Sequence, residues 1–250
     1  MLIRLLSAAL AAGFLAAVVA TGLELALTSP LIIAAERFET HAAVEASAAE
    51  TSRPLLHRAH AHEGGHEAGE AHAAPEWQPG EGVPRMLFTG LATLVGGIGY
   101  ALLLGAVMLA CGREPTPERG LAFAVAGFLA VALAPALGLP PELPGSEAAP
   151  LATRQAWWVM TATATAMGLY LIAIRRVPIT ILGGLVLIVA PHLAGAPEVA
   201  VGKSELPAGL AAQFAARSLA IGFVFWAVIG LAFGRAWRTF APKPAVAARA

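Results

Sequence analysis

The stretch 57–72, HRAHAHEGGHEAGEAH, sets five histidines among Glu63, Glu67 and Glu70. Neutral imidazole is a ligand for zinc, copper, nickel and cobalt, and a reference pKa of about 6.5 leaves most of it unprotonated at neutral pH. His60-Ala61-His62, and His62 with His66, are spaced closely enough to chelate together, with His57, His72 and His41 nearby on the same segment. Such a segment raises the local concentration of divalent cations without selecting sharply among them. The Irving–Williams order gives nickel and copper the tighter binding and cobalt the weaker. His62-Glu63-Gly64-Gly65-His66 also matches the HExxH pattern of zinc proteases, in which a helix puts both imidazoles on one face and the glutamate serves as base. Gly64 and Gly65 oppose that helix at about 1 kcal/mol each relative to Ala. A third protein ligand is also required, and no folded soluble domain surrounds the stretch to supply one. Metal capture is therefore the leading reading. A metallohydrolase built on His62, Glu63 and His66 and a plain polar tether are the weaker ones.

The rest of the chain says where such a segment would sit. Of its 250 residues, 58% are hydrophobic and only 13% charged, with a mean hydropathy of +0.71. A soluble domain carries about 25% charged residues, so this is a membrane protein. Sixteen basic residues balance sixteen acidic ones, which points to neither a nucleic acid nor an acidic partner. The single Cys111 excludes an intrachain disulfide and any multi-thiolate metal site. There is no Walker motif, so any use of ATP would need another subunit.

A hydrocarbon layer about 30 Å thick takes roughly 20 apolar residues to cross as helix. Six segments come close: Leu5–Leu27, Met86–Ala110, Gly120–Leu139, Ala156–Ile174, Val177–Ala194 and Phe214–Ala236. The expected fold is an all-α polytopic membrane helix bundle of about six transmembrane helices, or five if Val177–Ala194 does not cross. Arg4 ahead of an apolar run could mark a signal peptide, but the run continues past Ala20 through LELALTSPLIIAA and reads as an uncut first helix. With six spans, Arg4, Arg113, Arg119, Arg175, Arg176, Arg235, Arg238, Lys243 and Arg249 share one side. The positive-inside rule then places both termini in the cytoplasm. Residues 1–250 form a single transmembrane domain, within which 38–85 is a flexible His/Glu-rich loop on the extracytoplasmic side.

Ionisable residues inside spans are costly and point to function. Glu24 lies late in the first span, and His192, in PHLAGAP, near the outer end of the fifth. Together they could offer carboxylate oxygen and imidazole nitrogen to a cation arriving from outside. Pro191 and Pro197 are expected to break the helix around His192 and free carbonyls there. Arg217, one turn into the sixth span with Gln213 four residues before it, is expected to pair with Glu24 or with loop glutamates. Arg154 and Gln155 mark the outer start of the fourth span, and Trp157-Trp158 suit an interfacial belt. Gly96, Gly97, Gly99, Gly230 and Gly234 are expected to allow close helix packing. Thr161, Thr163 and Thr165 alternate, so they are expected to occupy different faces, to make no single polar stripe and to serve helix–helix contacts.

Five phrases in order along the chain carry a resemblance: LTSPLIIAAERFE, GFLAVALAPALGLPPELPG, RQAWWVMTATATAMGLYL, PHLAGAP and LAAQFAARSLAIGFVFW. On them the sequence resembles the CbtA family, the integral-membrane subunit of predicted bacterial cobalt transporters, over nearly its whole length. The resemblance implies uptake of Co2+ across the bacterial inner membrane, linked to cobalamin supply. It also implies a small one-span partner, CbtB, with histidines of its own. Apart from the resemblance, Ni2+ is a second candidate ion and no catalysis is expected. That family is usually described with about five spans, one fewer than the hydropathy count here, and it brings no established ligand set. A rival reading is a metal-binding membrane scaffold that loads a partner without transporting.

Overall fold

The computed structural model describes residues 1–38, 82–146, 148–198 and 206–241. The histidines at 41, 57, 60, 62, 66 and 72, and with them the metal-capture and HExxH readings, lie outside the described residues. Within them the fold is helical, with no strand. Six helices follow one another: α1 Leu2–Phe38, α2 Val83–Ala110, α3 Pro117–Ala136, α4 Leu151–Arg175, α5 Pro178–Ala194 and α6 Ala208–Thr239. Proline opens α2, α3 and α5, where its missing N–H would have had no helical acceptor. The Thr116 hydroxyl caps α3 by accepting from the Arg119 N–H at 3.3 Å.

Five helices are long and apolar enough to cross a membrane. The sixth, α5, has 17 residues, about 25 Å of helix, at the lower limit of a span. This is the segment on which the sequence count of five or six turned. It is bounded by Arg176 in the left-handed region (φ 53°) and Gly195 (φ 88°).

Small residues govern the packing. One face of α1 buries Ala8, Ala9, Ala12, Gly13, Ala16, Ala17 and Ala20, a repeat of three and four that faces α2 and α6. α6 also packs along α3, α4 rests on the second half of α3, and α5 packs on α4. The α4–α5 hairpin thus lies beside a core of α1, α2, α3 and α6. Backbones meet where glycines face each other: Gly13 with Gly97, Gly120 with Gly230, and Gly168 with Gly184. Gly97, Gly230 and Gly234 pack as expected, whereas Gly96 and Gly99 face open space.

Three helices carry a π-helical turn, at Glu24–Thr28, Leu129–Leu133 and Leu171–Arg175. Each lies two or three residues before a proline: Pro30, Pro135 and Pro178. Inside a helix, as at Pro30 and Pro135, a proline cannot donate to the carbonyl four residues earlier and its ring collides with it; a widened turn relieves the collision. Pro178 instead opens α5, after the left-handed Arg176. For Pro135 the abandoned acceptor is Val131, and the Trp158 indole donates to that carbonyl at 3.0 Å. Within the tryptophan pair Trp157 is buried, while Trp158 is partly exposed and satisfies a carbonyl of the neighbouring helix. Trp158→Phe is expected to cost about 1 kcal/mol. Pro135→Ala, by restoring an N–H near Val131, should shrink that cost in the double variant. Thermal unfolding of the four proteins in one detergent measures the coupling, and additive effects would contradict it.

Both ends of the bundle carry polar contacts, of different kinds. At one end the Arg4 guanidinium lies 4.2 Å from the centre of the Trp237 ring and its Nε donates to the Trp237 carbonyl at 2.7 Å. Glu114 stands 4.0 Å from the same arginine. These contacts gather the start of α1, the α2–α3 connection and the end of α6. At the opposite end Arg85 pairs with Glu36, and Arg154 donates to Glu142 at 2.9 Å.

Candidate ion-binding cavity

A cavity of about 810 Å3 opens between α1, α2 and α6. Glu24 lines it from α1, Thr89 and Thr93 from α2 at i and i+4, and Ser218 from α6. The rest of the wall is largely apolar. Glu24 begins the π-helical turn that precedes Pro30, so the distortion of α1 sits at the carboxylate. The Thr93 hydroxyl lies 3.1 Å from Glu24 Oε2 and 2.9 Å from the Thr89 carbonyl. It has one proton to give, so only one of these acceptors receives it at a time. Thr28 spends its hydroxyl on the Glu24 carbonyl at 2.9 Å. Arg85, at the rim, is paired with Glu36. Glu24 is thus the carboxylate lining the cavity, half-buried, with the Thr93 hydroxyl beside it.

Glu24 lies about 30 Å of helix beyond Arg4, close to the thickness of a hydrocarbon layer. A bundle whose Arg4 end meets one membrane surface therefore places the cavity at the other. The same spacing on α6 puts Arg217 at Glu24's level. Arg217 does not pair with Glu24, the first of its two expected partners, and the loop glutamates lie outside the described residues. Its Nη1 donates to the Leu27 carbonyl at 2.8 Å and its Nη2 to Gln213 Oε1 at 3.4 Å. The guanidinium ties α6 to the distorted turn of α1, and among the described residues the carboxylate has no ion-pair partner.

A family model described as probable cobalt transporter subunit, CbtA, matches residues 2–238. The chain belongs to the CbtA family. No curated protein and no solved structure matches it.

His192 does not share the cavity of this CbtA-family bundle. It sits in the last turn of α5, its ring edge-on to Trp157 of α4 with centroids 6.0 Å apart, and it is not among the groups lining the Glu24 cavity. The two residues expected to act together are held by different parts of the fold. Pro191 does not break α5 either: it is buried within the helix, which continues to Ala194. Among the described residues no three His, Cys, Asp or Glu side chains gather as a metal site. Arg154 is engaged with Glu142, whereas Gln155 is exposed.

The hydroxyl groups of the cavity were missed in the sequence. Thr89 and Thr93 fall four apart on one helical face, and that spacing was the available signal. The alternating threonines of α4 divide between two faces, as expected. Trp157, Thr161 and Thr165 share a face of α4, all are buried, and among the described residues their side-chain polar atoms have no hydrogen-bond partner; Thr163 points away, exposed.

Proposed function

We propose that this chain is the membrane subunit through which Co2+, or Ni2+ as a second ion, crosses the bacterial inner membrane in support of cobalamin supply. The observation that carries this reading is the half-buried Glu24 carboxylate, with Thr93 beside it, in a largely apolar cavity at the level opposite the arginine end. Family membership supplies the cargo. By the positive-inside rule the arginine end faces the cytoplasm with both termini. The cavity then faces outward, toward the side on which residues 38–85 emerge. The histidines at 41, 57, 60, 62, 66 and 72 gather the ion, and Glu24 receives it without His192. Carboxylate and hydroxyl oxygens hold a borderline cation less tightly than imidazoles do. A weak site suits passage, since an ion must be able to leave as well as arrive. The protein works without catalysis, alongside a small one-span subunit of CbtB type.

Uptake of radioactive cobalt by cells expressing this chain, with and without the small subunit, tests the proposal. Accumulation above empty cells is expected when both are present, and none at all would leave the scaffold reading. Deleting 57–72 is expected to lower uptake when cobalt is scarce and to leave it unchanged at saturation, because a capture device acts only on the encounter. Equal loss at every concentration would count against the capture role.

A further inference from the structure

A second concavity lies between α2, α3 and α4, a groove of about 600 Å3. Its walls are apolar, among them Leu103, Val107, Ala166 and Ala173, while Arg113, Arg119 and Arg176 gather at one end of it. Among the described residues none of these three arginines forms an ion pair. Arg119 Nη1 reaches only the Glu114 carbonyl at 3.3 Å, and Arg176 Nε the Ala173 carbonyl at 2.7 Å. Each keeps further N–H donors, and the Arg113 side chain keeps all of its own. Glu114 and Glu118 belong to the same end of the bundle but do not line the groove.

The groove has a length as well as a charge. From Arg176 it follows α4 back to Ala166, and from Arg119 it follows α3 forward to Val131. These runs are about 15 and 18 Å of helix, close to half of a hydrocarbon layer about 30 Å thick. A membrane-spanning helix would need a track twice as long. An acyl chain of one leaflet fits the depth, and the phosphate above it meets guanidinium groups, which are forked donors for phosphate oxygens. Basic pockets between transmembrane helices suit anionic headgroups for this reason. We propose that this groove binds one anionic phospholipid, its acyl chain along Ala166 and Val107 and its phosphate on Arg113, Arg119 and Arg176. The site is independent of the Glu24 cavity and does not rest on the transport reading.

Native mass spectrometry of the full chain in detergent, titrated with phosphatidylglycerol or phosphatidylcholine of identical chains, tests the assignment. One phosphatidylglycerol per chain is expected to be retained in preference to phosphatidylcholine. The pair Arg113→Gln and Arg176→Gln should weaken that retention about 25-fold, at roughly fivefold for each cation near a membrane surface. Ala166→Trp, on the exposed wall of the groove, should also weaken it while leaving every arginine in place. Unfolding midpoints of both variants confirm that each is folded. Equal retention of the two lipids, or phosphatidylglycerol retention unchanged in either variant, would overturn the proposal. So would displacement of the lipid by millimolar inorganic phosphate, which would mark a site for a bare anion.

Discussion

Glu24→Gln is expected to lower cobalt uptake at least about tenfold at every cobalt concentration, because charge-assisted contacts are worth about 1.5 to 3 kcal/mol each. Gln keeps the shape and can still accept from Thr93, so the fold should survive while the charge that attracts a divalent cation is lost. Arg217 does not compensate or interfere, since it is held by the Leu27 carbonyl and Gln213. Thr93→Val should do less, removing one neutral donor next to the carboxylate. The measurement is radioactive cobalt uptake, corrected for the amount of chain in the membrane. Uptake by Glu24→Gln indistinguishable from wild type, at low and at saturating cobalt, would remove the cavity from the path. The contrast with deletion of 57–72 is diagnostic: one defect persists at saturation, the other disappears.

Gly120→Val and Gly230→Val should each prevent the bundle from assembling. A Cβ at Gly120 would fall inside the Gly230 carbonyl, and one at Gly230 would fall inside that of Gly120. The obstacle is backbone on both sides, which cannot swing away as a side chain does. Overpacking of side chains costs about 1 to 3 kcal/mol. Here α3 and α6 would have to separate, and the core that holds Phe128, Trp226 and Phe233 would open with them. Little folded protein is expected in detergent extracts by size-exclusion chromatography. Gly96→Ala is the control: nothing stands within 4 Å of a Cβ there, and Ala favours a helix by about 1 kcal/mol over Gly. Normal yield of folded Gly120→Val would show that this contact is not tight.

The six helices were legible because each is a local property. A run such as GLAFAVAGFLAVAL is apolar for long enough to leave water by itself, whatever it later touches. Glu24 was legible for the related reason that a carboxylate in an apolar run is expensive wherever the helix ends up. What Glu24 faces was not. Thr93 lies 69 residues away in sequence, and its ordinary appearance in an apolar helix carries no mark of that contact. The pairing of Glu24 with His192 failed because shared depth in a membrane fixes one coordinate and leaves the lateral position open. The α4–α5 hairpin could have docked on either side of the core. The π-helical turns before Pro30 and Pro135 were readable in principle, since a proline inside a helix names the carbonyl it abandons by counting back four. That Trp158 of another helix would satisfy Val131 could not be counted from the sequence.

Hydrophobic length and arginine placement along the chain were sufficient to establish a helical membrane protein and which helix ends belong together, since both depend on transfer between water and hydrocarbon. Which helices are neighbours was decided only in three dimensions, by where glycines let backbones meet. That choice brought Glu24, Thr93 and Ser218 to one cavity and left His192 beside Trp157, because contacts of a few ångströms depend on lateral packing, to which hydropathy is blind.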